Sequence, residues 1–285
     1  MEIIPQLVAN SVIAGALYAL LALGFNFLYR TVKFFDLSYG AVATVGGYTV
    51  YALTRFAGLE LWLAVPAGVL AGAILAWLIN LMIYRPLRAR RASNLVLLVA
   101  ALGVMTILQA ALAIIFSSQF HTLSAGPSTV VEIFGGTYTV TQLVILAAAL
   151  FVLTALYLLK RTRLGKSIEA VADDTEVARI VGLNVNRTIS VVCVTSGAMA
   201  GLAGLLVGFD TGLEPTMGLA LLLKGVIAAI VGGLGTNAGA VLGGFLLGGV
   251  ENFGIWPLSG EWKDAIAFVL LIAFLIFRPT GIIKR

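Results

Sequence analysis

The stretch GKSIEAVADDTEVARIVGLN, Gly165 to Asn184, is a polar island in an otherwise apolar chain. Of 285 residues, 60% are hydrophobic and 11% charged, where a soluble domain carries about 25% charged residues. Mean hydropathy is +1.06. Such a chain spends most of its length in hydrocarbon, so the island has to be explained by what it meets outside.

Apolar runs near the roughly 20 residues needed to cross a bilayer core lie at 6–29, 37–54, 61–83, 95–116, 141–159, 188–208, 219–234, 238–256 and 263–277. These nine runs predict an all-α, polytopic transmembrane bundle of about 8–10 helices, with 1–285 as one transmembrane domain. The runs at 37–54 and 219–234 are short or interrupted by glycine, the pattern of a broken or re-entrant helix. The opening MEIIPQ has no basic segment and no small-residue cleavage site, so the first helix is read as retained.

Lys and Arg near helix ends stay on the cytoplasmic side. Here 15 of 18 basic residues fall in four connections: Arg30 and Lys33; Arg85, Arg88, Arg90 and Arg91; Lys160, Arg161, Arg163, Lys166, Arg179 and Arg187; and Arg278, Lys284 and Arg285. The runs between them number two, two and four, so one topology satisfies all, with the N-terminus outside and 160–187 as the longest cytoplasmic loop. The pI near 9.5 then reflects orientation in the membrane and does not indicate nucleic-acid binding. The opposite side is acidic, with Glu2, Glu60, Glu132, Asp210, Glu214, Glu261 and Asp264.

Enzyme chemistry finds no support. Cys193 and His121 are each the sole residue of their type and have no neighbouring metal-ligand or triad pattern. No cofactor or metal is expected. GGLGTNAGAVLGG at 232–244 lacks the Lys-Ser/Thr pair of a phosphate loop. Spacings of three or four put Gly239 with Gly243, and Gly197 with Gly201, Gly204 and Gly208, on single helix faces where backbones can approach. Intramembrane charges are costly and mark candidate sites. Lys224 and Glu251 are read first as a buried ion pair and second as part of a solute pathway.

Within the island, Ile168, Val171, Ala172 and Thr175 recur at helical spacing, with Lys166, Glu169 and Asp173 off the stripe. Asp173 or Asp174 can cap a second short helix, with Glu176 in capping-box spacing from Asp173 and Gly182 as its stop. Two short helices make a compact knob, and its stripe is read as docking on a cytoplasmic protein rather than on lipid headgroups, which would call for larger apolar residues and more lysine.

TRLGKSIEAVADDTEVARIVGLNVNRTI, then SGAMAGLAGLLVG and LKGVIAAIVGGLGTNAGAVLGGFLLGGVEN, closely resemble the inner-membrane permease subunits of branched-chain amino acid ABC importers. YALLALGFNFLYR and FRPTGIIKR resemble the same family near both ends. The resemblance implies a multi-pass permease of the bacterial inner membrane that works with a second related permease, two cytoplasmic ATP-binding subunits and a periplasmic substrate-binding protein. It assigns Gly165, Glu169, Ala170, Asp173, Asp174, Glu176 and Gly182 to a loop that couples to the ATPase. Where the family commonly has a histidine, this chain has Tyr39, in Asp36-Leu37-Ser38-Tyr39-Gly40. That departure widens the expected solutes from branched-chain amino acids to urea, amides and small carboxylates. Asp36, Tyr39 and Gly40, beside the polar Asn26, are the candidate pathway residues, and Asp36 can equally cap the helix that follows. The competing class is an ion-coupled secondary transporter, for which Glu251 is the deep carboxylate.

Overall fold

A computed structural model describes residues 3–123, 130–133, 136–256 and 259–283; Glu2, Lys284 and Arg285 lie outside them. Among the described residues, the nine apolar runs form nine of twelve α-helices: α1 Ile3–Val32, α2 Ser38–Arg55, α3 Leu61–Ile79, α5 Asn94–Phe116, α6 Val140–Arg161, α9 Val185–Asp210, α10 Met217–Gly232, α11 Asn237–Gly254 and α12 Lys263–Phe277. The rest are short: α4 Arg85–Ala89, and α7 Arg163–Asp173 with α8 Thr175–Ile180 in the polar island. The fold is a polytopic helical bundle. A two-stranded antiparallel hairpin, β1 Val130–Ile133 with β2 Gly136–Thr139, was not foreseen from the hydropathy pattern.

Five helical stretches among the described residues are long and apolar enough to cross a membrane, the second of them running unbroken from Leu61 to Ala89. The runs at 219–234 and 238–256, read as separate crossings, form a single pair, α10 and α11, bent by 115°. Gly233 and Gly235, both in the left-handed backbone region that glycine enters most easily, make the corner.

The chain divides into two compact units, Met1–Asn26 with Ser124–Leu153 and Leu223–Arg285, and Phe27–Leu123 with Thr154–Leu222. In the second, α2, α3 and α9 pack tightly together. Their contact rests on missing side chains: a Cβ on Gly72 would lie 2.5 Å from the Gly197 carbonyl oxygen, and one on Gly46 would lie 2.8 Å from that of Gly201. Gly204 faces the Ala43 backbone in the same way. In the first unit, Gly239 and Gly243 of α11 lie against the backbone of α10 at Gly232 and Ala228. Between apolar helices in lipid there is little hydrophobic drive, so close van der Waals approach across small residues supplies the attraction.

Candidate functional site

The island folds into a braced knob. Thr162 starts α7 by accepting the Gly165 N–H at 3.1 Å, and Gly165 is tucked against the backbone of Leu159 and Lys160, where no side chain fits. Asp174, rather than Asp173, caps α8, accepting from the N–H groups of Glu176 and Val177 at 2.8 and 3.0 Å. Glu176 is therefore one residue too early to complete a capping box. Gly182, at φ +86°, ends α8; its N–H and that of Leu183 return to the carbonyls of Arg179 and Ala178 at 3.1 and 3.0 Å, the paired closure of a left-handed helix end.

The stripe read as facing a partner is turned inward, which corrects that expectation: Ile168, Val171 and Ala172 are buried, and α7 packs against α9 of the same chain. Apolar side chains take the nearest apolar surface, which the start of α9 provides. Thr175, the fourth stripe residue, lies on α8 and is half-buried. The acids off the stripe fasten the knob: Glu169 pairs with Arg30 at 3.7 Å and Lys160 at 4.0 Å, and Asp173 with Arg30 at 3.9 Å. Such partly exposed pairs contribute about 0–1 kcal/mol each, so they orient the knob more than they hold it. What stays exposed is an apolar edge on α8 and its end, Val177, Ile180 and Val181, at 55%, 83% and 68%.

The pathway candidates fall into two groups, one in each unit. In the second unit Asp36 is buried, and its Oδ1 accepts from Ser38 N–H at 2.9 Å, Ser38 Oγ at 2.6 Å and Tyr84 Oη at 2.6 Å. Asp36 thus holds the first N–H of α2 and ties it to the turn at Asn80–Tyr84 that follows α3. Burial raises its carboxyl pKa above the ordinary value, while the bonds from Ser38 and Tyr84 and the charge of Arg88 act the other way. Asp36, Ser38, Tyr39, Tyr84 and Ser196 border a cavity of about 10 Å³, about the volume that one water needs. Gly40, also buried, lies against the backbone of Gly218.

Tyr84, Asn80 and Arg88 were not singled out from the sequence. Asn80–Tyr84 is a π-helical turn between α3 and α4, and such turns recur at functional positions. It directs Tyr84 to Asp36 and lets Asn80 bond Ser190 at 3.2 Å while accepting from Arg88. Among the described residues, Nε and Nη1 of Arg88 are buried with no hydrogen-bond partner. Asn80, a lone amide in an apolar run, was the available signal.

In the first unit Lys224 bonds Glu251 and reaches Asp264 at 2.8 Å; Tyr18 Oη donates to Glu251 at 2.6 Å, and Lys263 stands 3.9 Å away. Glu251 is 0% exposed. Removing one partner of such a buried pair costs about 3–5 kcal/mol because the other charge is stranded. Asn26 is elsewhere, at the α10–α11 corner, where its Oδ1 accepts the Gly235 N–H at 2.6 Å and its Nδ2 donates to the Thr236 carbonyl at 2.8 Å.

Gly-packed apolar helices, a broken helix at 233–236 and a braced polar knob define a multi-pass membrane permease. The chain belongs to the family described as branched-chain amino acid transport system / permease component, whose profile matches residues 7–275. It is 33% identical to the high-affinity branched-chain amino acid transport system permease protein LivH of Salmonella typhimurium, over 98% of this chain and 95% of that one. To the corresponding permease protein BraD of Pseudomonas aeruginosa it is 32% identical, with the same coverage. A solved structure, PsaBC from Streptococcus pneumoniae in complex with Fab, shares the fold with a TM-score of 0.55 at 12% identity, over 95% of this chain and 91% of that one.

Proposed function

We propose that this chain is the transmembrane permease subunit of an ATP-driven importer of branched-chain amino acids or related small polar solutes such as urea, amides and small carboxylates. It forms half of a translocation pathway in the bacterial inner membrane beside a second, related permease. ATP is hydrolysed by two cytoplasmic subunits, and a periplasmic binding protein delivers the solute. The names of the LivH and BraD relatives support the solute class, and Tyr39 is the residue we expect to widen it.

The observation that carries this reading is the exposed apolar edge Val177, Ile180 and Val181 on a knob held from behind by Arg30 and Lys160. Burying an aliphatic side chain of this size contributes about 1.5–3 kcal/mol, so the edge gains when an ATPase cleft covers it. Residues 165–182 run on into α6 and α9 through short connections, and a push on the knob reaches both helices. Gly165 and Gly182 fix its ends, Asp174 its corner, and Glu169 and Asp173 its angle. Ala170 and Glu176 lie on the same two short helices. Asp36, Tyr39 and Gly40 in one unit, and Asn26, Lys224 and Glu251 in the other, are the positions proposed to border the pathway.

With Cys193 replaced by alanine, Ile180→Cys should cross-link to cysteines placed in the ATPase cleft of the assembled complex. Leu158→Cys, on an exposed part of α6, should not. If the thiol introduced by Ile180→Cys instead reacts freely with a water-soluble maleimide in the assembled complex, without cross-linking, the docking is overturned.

A further inference from the structure

A break between two packed helices leaves buried backbone groups that must find partners. In an unbroken helix the N–H groups of Gly235 and Thr236 would bond the carbonyls four residues earlier, Val231 and Gly232. At the corner they do not: the Gly235 N–H goes to Asn26 Oδ1 at 2.6 Å, and the Thr236 N–H to the Gly233 carbonyl at 3.4 Å. The two abandoned carbonyls are each taken up by the segment that follows α12. Ile282 N–H donates to Val231 O at 3.0 Å and Ile283 N–H to Gly232 O at 3.0 Å.

The approach is made possible by two glycines. Gly281, at φ +75°, lies so close to Gly233 that a Cβ on it would sit 2.5 Å from both the Gly233 Cα and N. Ile282 and Ile283 are half-exposed, so the segment lies over the corner from outside.

We infer that Gly281–Ile283 form a strap that closes the corner between α10 and α11, and that any change in their bend requires the strap to leave. Asn26 secures the N–H side of the corner and the strap the carbonyl side. While the strap is in place, the Val231 and Gly232 carbonyls are both occupied by it; once it leaves, they are two free acceptors at the end of α10. The inference rests on backbone bonding and holds for whichever solute is carried.

The test uses the full chain in a Cys193→Ala background with spin labels at Val226 on α10 and Leu242 on α11. Ile282→Pro deletes the N–H that reaches Val231, whereas Ile282→Val keeps it. The proline variant should broaden the distance distribution between the labels and lower uptake by the assembled complex at least tenfold; the valine variant should change neither. An unchanged, narrow distribution in the proline variant would overturn the strap even if uptake fell. If the proline variant does not fold, hydrogen exchange of the parent decides: Ile282 and Ile283 amides should be protected like those inside α10, and free exchange would overturn the bonds. Failure of the parent complex to transport would count against the importer reading alone, since the distance and exchange measurements need no transport.

Discussion

Gly204→Leu is expected to abolish recovery of folded permease from the membrane. A side chain there enters the Ala43 backbone of α2, with Ala43 Cα 3.0 Å from the new Cβ. Overpacking that neighbouring side chains can absorb costs about 1–3 kcal/mol; here the obstacle is backbone, and α2 and α9 must separate along a contact that also includes Gly46 and Gly201. Total stability of a domain is about 5–15 kcal/mol, so losing this contact removes a large share. Gly243→Leu should fail similarly in the other unit, because its Cβ would meet Gly232 N at 2.8 Å and the Ala228 carbonyl. Gly249, on the same helix, has nothing within 4 Å of its Cβ position, and Gly249→Leu should give monodisperse protein in detergent at the parent yield. Equal yields of all three variants by size-exclusion chromatography would show that the glycine faces meet lipid.

The second large effect is expected at the α8 edge. Changing both Val177 and Ile180 to aspartate replaces two exposed aliphatic contacts with charges at the proposed ATPase contact. Losing about 1.5–3 kcal/mol of burial at each position weakens docking roughly 100-fold or more, at 1.4 kcal/mol per factor of ten. ATP-driven uptake should fall, by up to that factor when the partner is below saturation, while membrane insertion and thermal stability of the permease stay at parent values. Glu169→Lys should have a smaller effect, since it sets a third cation beside Arg30 and Lys160 and loosens the knob without removing the edge. Parent-level uptake in the double aspartate variant would place the coupling contact elsewhere.

Much of the bundle was legible because hydropathy reports directly on the solvent a helix meets: each of nine apolar runs became a helix, and Gly182 and Asp174 act through local chain chemistry. The corner between α10 and α11 was visible as glycine interruption, but its angle was not, since the angle depends on Asn26 and Ile282, at positions remote in sequence. The inward stripe of α7 was misassigned for a related reason: periodicity reveals an apolar face and leaves open what covers it. The Asp36 cluster was half legible. Asp36 and Tyr39 stood out as polar residues beside an apolar run, whereas Tyr84 joins them only because a π-helical turn shifts its direction, and no spacing rule marks such a turn.

We propose that this chain moves solute only as part of an ATP-driven assembly. Uptake of labelled leucine into proteoliposomes tests it most directly, comparing both permeases alone under sodium or proton gradients with the full complex of permeases, ATPases and binding protein. Uptake is predicted in the full complex with ATP on the ATPase side, and neither without ATP nor with the permeases alone. Gradient-driven accumulation by the permeases alone would contradict the account and make the chain a secondary carrier.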